Sequence, residues 1–544
     1  MRKLFYYSFI VLVIVFLSIS CRKDDSIGSS TDEVMYLGID TRDGLVLGKR
    51  LENPYSVANM RKAYELLVPE TRSGGKAEDF IKATHRYIKF VPYDEEDLSL
   101  LQLDSSLILY PYPLDYEIVR YGRYHDPDVP VDQPTPLYCS VPVGNVLPAG
   151  VDYVVLDELF IPEEFEAVST RSGGMSEDFL NSLVIKAFVL TGNIYDDCYL
   201  TRASGSKWVP QGHIKFWDKS RCSLRWENGR VVKDKVFFPV EGIEVRCRRW
   251  FTTYKAQTDA NGFFKCKSNQ TFSGKATCSL YFEKYDFEIR DGWLSTYTYE
   301  QPNVSGAWNL NIEDDLCRFY IDIFNAAYKF YYKDIHGLSR PPLNSFWKAK
   351  MRIRGHPYEG NSIGGDYDES RGFWGLGSDI HIYGGVYSLS FDDEIFSRVI
   401  HELAHAAHWS LSSSDFYYSD AFVRETWARG VEVLLTRDVY PDFSSIYYKL
   451  AYCGVVEDLI DGSLHPEGLE KKTQYYYDFD NSTSVLFDSP KKYIDKVSSY
   501  TLPMIERSLI GARNCEQWRD NLLRLYDNPT EKYLVETFDF WSNK

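Results

Sequence analysis

The sequence predicts a multidomain α+β fold: an N-terminal α+β module, a β-sandwich, and a C-terminal domain with an α/β upper lobe and a helical lower lobe. Three observations indicate this division. The chain has 544 residues, enough for about three or four domains. Strand-like segments separated by turn residues occupy residues 183–312, and helical patterns dominate residues 313–544. The 44% apolar content can fill separate cores.

The first residues carry the features of an export signal. Met1-Arg2-Lys3 precedes an apolar run over residues 4–19, and Cys21 follows. A run of about 16 apolar residues is shorter than the ~20 that a spanning helix needs, so we predict a signal peptide over residues 1–20. The layout resembles a bacterial lipoprotein signal, with Ser18 where Leu is usual. A plain signal peptide and an anchor helix are the alternatives.

Cys21 is the predicted lipidation site. The resemblance implies that diacylated Cys21 anchors the protein in a membrane, with residues 21–34 as a polar tether. Arg22-Lys23-Asp24-Asp25 resembles the Lys-Asp-rich tag that directs lipoproteins of Bacteroidetes to the outer face of the outer membrane. We therefore expect the protein to be attached to the outer membrane through Cys21 and to face the cell exterior.

Residues 35–180 are predicted to form the N-terminal α+β module. Leu51–Ser56 has the composition of a capped turn, and helical patterns cover Ala58–Leu67 and Ala77–Ile88. Proline-rich, extended segments such as Tyr110–Pro113 follow. No combination of residues in this module indicates catalysis.

Residues 183–312 show short strands with turns of the Asn-Gly type, which is typical of a β-sandwich. The runs Pro239–Val245 and Thr258–Phe263 resemble the carboxypeptidase-regulatory-like, transthyretin-type sandwiches that are commonly appended to secreted enzymes. Such a module serves as a spacer or a substrate-presenting surface. An insertion over Lys219–Val236 leaves the early topology open. The expected strands include Ile214–Trp217, Gly242–Cys247, Phe263–Phe264 and Thr277–Ile289.

Residues 313–544 are predicted to form the third domain, which begins with a helix over Asp314–Asp334. Strands over Lys350–Arg354 and Asp379–Ile382 are expected in its upper lobe. Beyond Leu435 the sequence is mostly helical, which predicts the lower lobe. The helices expected there cover Leu502–Leu509, Glu516–Leu525 and Thr530–Phe538.

The segment Val399–Trp409 contains the most informative motif, His401-Glu402-x-x-His405. Positions four apart lie on one face of a helix, so both imidazoles can point at one zinc ion. Glu402 lies beside the first ligand, where a carboxylate can take a proton from a water activated by the metal. Ser390–Asp393 supplies an N-cap and an acidic first turn. Chance produces this motif in about one such sequence in a hundred, so a further ligand is required.

A hydrolytic zinc site usually has three protein ligands and one open position. Glu425 follows His405 by 20 residues and lies in a second helical pattern, Phe422–Leu435. The two helices resemble the gluzincin metallopeptidases, and the interval matches that of the thermolysin-like group. The resemblance implies a zinc cofactor, with His401, His405 and Glu425 as ligands and Glu402 as the general base.

Two features leave the surroundings of this site open. Glu432, 27 residues beyond His405, is an alternative third ligand, and Glu425 is alternatively an exposed helical residue paired with Arg429. Thermolysin-like enzymes place an Asp four residues after the ligand Glu to orient a ligand His, whereas this chain has Arg429 there. Glu432 and Asp420 are the candidates for the missing orienting carboxylate.

The metzincin pattern does not fit, because that family has Gly and His where this chain has His408 and Leu411. His408 and His381 are given no role, since a histidine near such a site more often packs or forms hydrogen bonds. Tyr418 is named as the transition-state donor from a larger set of candidates. That set also contains Tyr417, His465, Tyr475, Tyr476, Tyr477 and Tyr500.

The strand before the zinc helix has a predicted role in substrate binding. In gluzincins an edge strand in this place borders the cleft, and an extended peptide can add to it through main-chain hydrogen bonds. The residues expected to form that edge are Asp379, Ile380, His381 and Ile382. An ordinary strand inside a sheet is the alternative interpretation.

Charge and cysteine content exclude other classes of function. The net charge is −17, from 61 basic and 78 acidic residues without a long block of one sign, which disfavours a nucleic-acid partner. The 10 cysteines include no C-x-x-C pair that indicates a second metal site. Setting Cys21 aside leaves an odd number, so no disulfide framework is predicted, although export permits disulfides.

Together these features predict a surface lipoprotein that hydrolyses peptide bonds of extracellular proteins or peptides with zinc. Endopeptidase activity is preferred, because no Gly-rich exopeptidase motif or amine-binding acidic cluster precedes the zinc helix. Two alternatives are a surface binding protein that has lost catalysis and a zinc hydrolase that acts on bonds other than peptide bonds.

Overall fold

The computed structural model describes residues 44–68, 76–130, 133–162, 175–193, 207–227, 230–292, 294–345, 349–360, 362–368, 379–385, 392–445, 447–448, 450–461, 474–477, 491–493 and 496–542. They form a mixed α+β structure with 12 α-helices and seven sheets. The predicted signal peptide, Cys21, the tether and the predicted cap residue Ser390 lie outside these residues. No helix in the described part is both long and apolar enough to cross a membrane.

The N-terminal part combines an antiparallel sheet with helices. Its elements are β1 (Val46–Arg50), α1 (Val57–Leu67), α2 (Ala77–Phe80), β2 (His85–Val91), α3 (Glu95–Leu103), β3 (Tyr116–Arg120), β4 (Leu137–Pro142), β5 (Asp152–Leu159) and α4 (Glu177–Leu190). The sheet has the order β4-β2-β5, and β1 pairs with β3. Helix α1 matches the predicted one, and it begins after Ser56, whose side chain accepts a hydrogen bond from the Asn59 amide.

The helix predicted over Ala77–Ile88 is wrong beyond Phe80. Helix α2 has only four residues, and the chain then enters the central strand β2. The aromatic and β-branched residues within His85–Val91 favour a strand, and pairing on both sides satisfies its main-chain groups. Here the tertiary pairing overrides the helical pattern of the sequence.

Two sheets occupy most of the segment predicted to be a β-sandwich. The strands are β6 (Gln211–Trp217), β7 (Ser223–Glu227), β8 (Arg230–Asp234), β9 (Phe237–Pro239), β10 (Glu244–Arg249), β11 (Thr252–Gln257), β12 (Phe263–Lys265), β13 (Ala276–Tyr281), β14 (Phe287–Arg290), β15 (Thr298–Val304) and β16 (Leu310–Ile312). One sheet has the order β11-β10-β13-β15, and the other has β12-β6-β16 with β9 on β6. The predicted insertion over Lys219–Val236 contains the two-stranded pair β7–β8.

A disulfide bond joins the middle strands of the first sheet. Cys247 of β10 and Cys278 of β13 are direct partners in the antiparallel register and are bonded to each other. The other cysteines in the described part of the chain are free thiols, and most of them are buried. Cysteine spacing does not distinguish this pair from the others, because it carries no information on the register between strands.

The C-terminal part contains most of the helices. Its strands are β17 (Met351–His356), β18 (Gly364–Tyr367), β19 (Ile380–Tyr383), β20 (Tyr447–Tyr448), β21 (Gln474–Tyr477) and β22 (Lys491–Tyr493). Its helices are α5 (Asp315–Tyr332), α6 (Asp392–Leu411), α7 (Ser413–Tyr418), α8 (Ala421–Arg437), α9 (Val455–Asp461), α10 (Leu502–Ser508), α11 (Cys515–Leu525) and α12 (Leu534–Trp541), with a 3₁₀ turn at Glu531–Tyr533. Helix α6 packs against α5 on one side and α8 on another.

The sheet above α6 has the order β14-β17-β19-β18 and takes its first strand from before residue 312. The single strand predicted over Thr277–Ile289 is wrong, because a turn closed by the Lys284 amide and the Phe287 carbonyl separates β13 from β14. Strand β14 then pairs in parallel with β17. One sheet therefore spans the predicted boundary at residue 312, and all described residues belong to one compact unit.

The N-terminal part is joined to this sheet by buried ion pairs. Glu95, the first residue of α3, pairs with Arg290 at 2.8 Å and with Arg352 at 3.1 Å. Arg290 also pairs with Glu288, and Gln102 donates to Glu288 at 3.1 Å. These side chains come from alternate positions of β14 and β17, so they share one face of the sheet. Removing one member leaves a buried charge without its partner.

The N-terminal end of α6 is held by polar contacts. Asp392 accepts hydrogen bonds from Arg318 of α5 and from the Lys219 amide, and Ser220 donates to Asp393 at 2.6 Å. Acidic residues in the first turn of a helix also interact favourably with its dipole. These contacts fix the start of α6 relative to α5.

Candidate metal centre

Helices α6 and α8 bring the predicted site residues together in the interior. His401, Glu402 and His405 lie on α6 and Glu425 on α8, and all four are buried. The two helices pack side by side. Helix α8 is also pressed against α9, because a Cβ added at Gly430 would lie only 2.3 Å from a Val456 side-chain atom. That close contact fixes the helix that carries Glu425.

Three potential ligand atoms converge. Nε2 of His401 lies 3.2 Å from Nε2 of His405 and 3.3 Å from Oε2 of Glu425, and the third distance is 3.5 Å. Ligands about 2.0 to 2.1 Å from a tetrahedral ion are about 3.3 Å apart, so the spacing matches one face of a zinc tetrahedron. Within the described residues, this is the one group of three or more His, Cys, Asp or Glu side chains whose ligand atoms lie close enough together to hold a metal ion. His401, His405 and Glu425 therefore form a group that can hold a metal ion.

A carboxylate faces each ring nitrogen of His401. Nδ1 of His401 lies 2.8 Å from Oε2 of Glu432. Burial favours the neutral form of Glu432, but Arg429, Arg398 and His401 lower its pKa to about 2. An ionised Glu432 accepts a hydrogen bond from Nδ1–H of His401, so the lone pair of this imidazole lies on Nε2. Burial favours the neutral form of Glu425 as well, but His405 and His401 hold its pKa well below the usual value, and its carboxylate faces Nε2 of His401.

Glu432 is thus placed as the orienting carboxylate, and it faces the opposite nitrogen of His401 from Glu425. Its position on the Nδ1 side does not fit the alternative role of third ligand. Arg429 donates to the other oxygen of Glu432 at 3.0 Å and to Ser445 at 2.7 Å. The second candidate, Asp420, caps α8 by accepting a hydrogen bond from the Val423 amide. An arginine therefore occupies the position expected for Asp, and it holds the carboxylate that orients His401.

Glu402 lies beside the group and beneath strand β18. Burial raises its pKa to about 7, while His405 and Arg398 act in the opposite direction. A Cβ added at Gly365 of β18 would lie 2.6 Å from a carboxylate oxygen of Glu402. Only a residue without a side chain permits that approach. Within the described part of the chain, no residue forms a hydrogen bond with the Glu402 carboxylate, which leaves it available to a water molecule.

The predicted edge strand is an inner strand, so that prediction is wrong. Strand β19, which contains Ile380, His381 and Ile382, lies between β17 and β18. Asp379 precedes it, and its side chain accepts a hydrogen bond from the Arg352 amide. Within the described residues the outermost strand on this side of the sheet is β18, which is antiparallel to β19. Its Gly-Gly-Asp-Tyr sequence has too little apolar alternation to be recognised as a strand.

The remaining predicted residues lie away from the ligand atoms. His408 is buried against Phe416, and burial lowers its pKa to about 3, so it is a neutral packing residue. Tyr418 is 61% exposed, and its ring contacts Tyr417 and Arg513. Among these described residues, Tyr418 forms no hydrogen bond or ring contact with His401, His405 or Glu425. The position of His381 is set by a 2.9 Å hydrogen bond with His356.

Two residues near the group were missed. The ring of Tyr452 stacks on His401 with centroids 5.9 Å apart, and its backbone φ of 54° lies in the left-handed region. Nothing in the sequence marks it, because it lies far along the chain from α6. Arg398 lies three residues before His401 and four before Glu402, so helical spacing alone places it on the same face.

The described fold and site define a mixed α+β protein with a buried group suited to a metal ion. Comparison with family models gave no match, and comparisons with curated proteins and with solved structures gave none either. The geometry of His401, His405, Glu425 and Glu402 is therefore the basis for assigning a function.

Proposed function

We propose that the protein is a zinc-dependent peptidase of the gluzincin type that hydrolyses peptide bonds of extracellular proteins, with a preference for internal bonds. The observation that carries the proposal is the spacing of the three ligand atoms beside Glu402. Two imidazole nitrogens and one carboxylate oxygen lie 3.2 to 3.5 Å apart. This donor set and this spacing suit zinc with one coordination position left for chemistry.

A zinc ion held by His401, His405 and Glu425 would supply Lewis-acid chemistry for the scissile carbonyl and for water. The chain itself supplies the remaining functions. Glu402 takes the proton from the attacking water and passes it to the leaving amine. Glu432 keeps Nε2 of His401 unprotonated and aimed at the site, and Arg429 holds Glu432. Burial of these groups strengthens each electrostatic interaction.

Strand β18 is the proposed substrate platform. Among the described strands it is the outermost one on this side of the sheet, and an extended peptide can pair with the side of Gly364 and Gly365 that β19 does not use. Gly365 brings this strand against Glu402. A peptide on β18 is therefore aligned over the general base, and main-chain pairing permits many side chains.

The finer domain assignment belongs to the same proposal. The sheet β14-β17-β19-β18 with α5 and α6 corresponds to the upper lobe of a zincin-like domain, and the helices from α8 onward to the lower lobe. The two sheets between residues 207 and 312 correspond to a transthyretin-type sandwich. Their shared core with α5 and α6 supports a rigid attachment of this sandwich to the catalytic part.

The proposed location is the cell surface, with Cys21 lipidated in the outer membrane. The Cys247–Cys278 disulfide supports export, because disulfides persist in oxidising compartments. Mass spectrometry of the membrane fraction should detect acyl chains on Cys21, and Cys21→Ala should release the protein from the membrane. External protease should digest it on intact cells. Protein that stays unacylated, or is protected in intact cells, contradicts this location.

The activity is tested by metal analysis together with matched variants. The purified protein should contain about one zinc per chain and cleave a mixed peptide library. Glu402→Gln should keep the zinc and lose cleavage by at least about 100-fold, because it removes the general base and leaves the ligands. His405→Ala should lose both. The control is Gln517→Glu, a change on α11 away from the site, which should alter neither.

The outcomes separate the proposal from its alternatives. Zinc without cleavage of any peptide or protein in the unaltered chain indicates a binding protein that has lost catalysis. Cleavage of glycopeptide or nonpeptide amide bonds in place of peptide bonds indicates a different zinc hydrolase. Absence of zinc after reconstitution overturns the metal centre itself.

A further inference from the structure

Arg398 is a second arginine beside the metal group, in addition to Arg429. It lies on α6 one turn before Glu402, on the face that also carries His401. Burial disfavours its charge, but Glu432, Glu402, Tyr452 and Glu425 raise its pKa. The side chain is therefore part of the same surface as the general base.

Arg398 nevertheless forms no ion pair or hydrogen bond within the described part of the chain. Its buried Nε has no partner, and the residue as a whole is half-buried. The two terminal Nη atoms also form no hydrogen bond with a described residue, but they are not among the buried unsatisfied atoms. They are therefore the part of the guanidinium that reaches solvent. An arginine can donate five hydrogen bonds, so this guanidinium has donors to spare.

The neighbouring carboxylates are already used by other groups. Glu425 faces His401 and His405, and Glu432 is bound by His401 and Arg429. Arg398 is therefore not needed to satisfy either of them.

The geometry places this donor next to the scissile bond. A peptide paired with β18 passes over Glu402, because Gly365 brings the strand against that carboxylate. Residues of an extended peptide are about 3.3 Å apart, and one helical turn is about 5.4 Å. A guanidinium one turn from Glu402 therefore reaches a substrate group one or two residues from the bond to be cleaved.

We infer that Arg398 is a specificity-determining residue that binds a substrate carboxylate next to the scissile bond, so that acidic peptides are the preferred substrates. This inference rests on the proposed peptidase function. The carboxylate belongs either to an Asp or Glu side chain or to the C-terminus of a peptide. A planar guanidinium can bind either one through two parallel hydrogen bonds. Long-range attraction does not produce this preference, because the chain carries a net charge of −17.

The test uses peptide pairs that differ only by Glu or Gln at each position flanking the scissile bond, with free or amidated C-termini. The protein should show at least about 10-fold higher kcat/KM for Glu at one position, since a charged hydrogen bond is worth about 1.5 kcal/mol or more. Arg398→Gln should bring that ratio close to one. Arg398→Glu should reverse it in favour of Lys, and Arg398→Lys should keep part of it. The control Arg524→Gln on α11 removes the same charge and should keep the full ratio.

Binding provides a second readout. Fluorescence anisotropy of the same labelled peptides on the non-cleaving Glu402→Gln protein, with and without Arg398→Gln, should show the same Glu preference and its loss. Preference for a free over an amidated C-terminus, with no Glu preference, identifies the chain end as the carboxylate source. Equal binding and cleavage of Glu and Gln peptides, or a preference retained in Arg398→Gln, overturns the inference. Cleavage without preference leaves the peptidase proposal intact, whereas absent cleavage with selective binding overturns only the peptidase proposal.

Discussion

The carboxylate of Glu432 accepts a 2.8 Å hydrogen bond from Nδ1 of His401, although the two residues lie 31 positions apart. The contact joins helices α6 and α8 through one imidazole and fixes which nitrogen of that imidazole is free. Arg429 donates a hydrogen bond to the other oxygen of the same carboxylate. The orientation of His401, a candidate metal ligand, thus depends on Glu432 and, through it, on Arg429.

Replacing Glu432 by Gln is expected to weaken zinc binding by about 10- to 100-fold, because the neutral amide no longer fixes the tautomer of His401. A competition titration with a chromophoric chelator measures this. Asp420→Asn is the matched control, since Asn also caps a helix and the affinity should not change. Equal affinity of the Glu432→Gln and unaltered proteins contradicts an orienting role for this residue.

The metal group was predictable because its information is local. His401 and His405 share a face by helical periodicity alone, and Glu425 followed at a recognisable interval. The role of Glu432 was not decidable, because it depends on how far α8 is rotated relative to α6. A sequence does not specify that rotation when several buried residues of α8 carry charges.

The fold was predictable where the patterns are regular. The long helix α5 shows a clear apolar face, and the predicted and observed bounds differ little. The outer strand of the sheet was misplaced because β18 contains Gly364 and Gly365, which have no side chain to produce alternation. Strand β14 was merged with β13, since sheet membership depends on partners distant in sequence.

Gly365 gives a second prediction. Gly365→Ala should lower kcat/KM by about 100-fold, because its Cβ would displace the Glu402 carboxylate by about an ångström. Zinc content should stay at one per chain, since Glu402 is not a ligand. Gly364→Ala is the control, because the nearest atom to its added Cβ is 4.0 Å away. Unchanged kcat/KM in Gly365→Ala shows that β18 does not press on Glu402.

Asp322 of α5 predicts a dependence of stability on pH. Burial, and then the neighbouring Asp392 and Asp218, raise its pKa well above the usual value, against the effect of Arg318. The folded protein therefore keeps a proton that the unfolded chain releases near pH 3.9. The stability that this proton contributes to the folded protein is present below about pH 4. It is lost as the pH rises through the pKa that Asp322 has in the folded protein.

Asp322→Asn should therefore stabilise the protein at pH 8 and have little effect near pH 4, because Asn cannot ionise. Urea midpoints at the two pH values measure the difference. Asp520→Asn is the control, since its side chain is 62% exposed and its removal should not change the pH profile. A stability gain that is the same at both pH values refutes a raised pKa at Asp322.

The Cys247–Cys278 bond predicts a response to reducing agent. The two residues are 31 positions apart, and closing a loop of that length stabilises a fold by about 3 to 4 kcal/mol in the chain-entropy model. Reduction, or replacement of both residues by Ala, should therefore lower the urea midpoint of the unfolding transition that includes the sheet β11-β10-β13-β15. Reductant should have no further effect on the double variant. Tryptophan fluorescence follows the unfolding, and mass spectrometry of alkylated peptides shows the state of the two thiols.

Cys222→Ser, a change at a half-buried free thiol, should keep the full response to reductant. A midpoint that reductant leaves unchanged in the unaltered protein means that these cysteines are not bonded in solution, and it removes the support that they give to export.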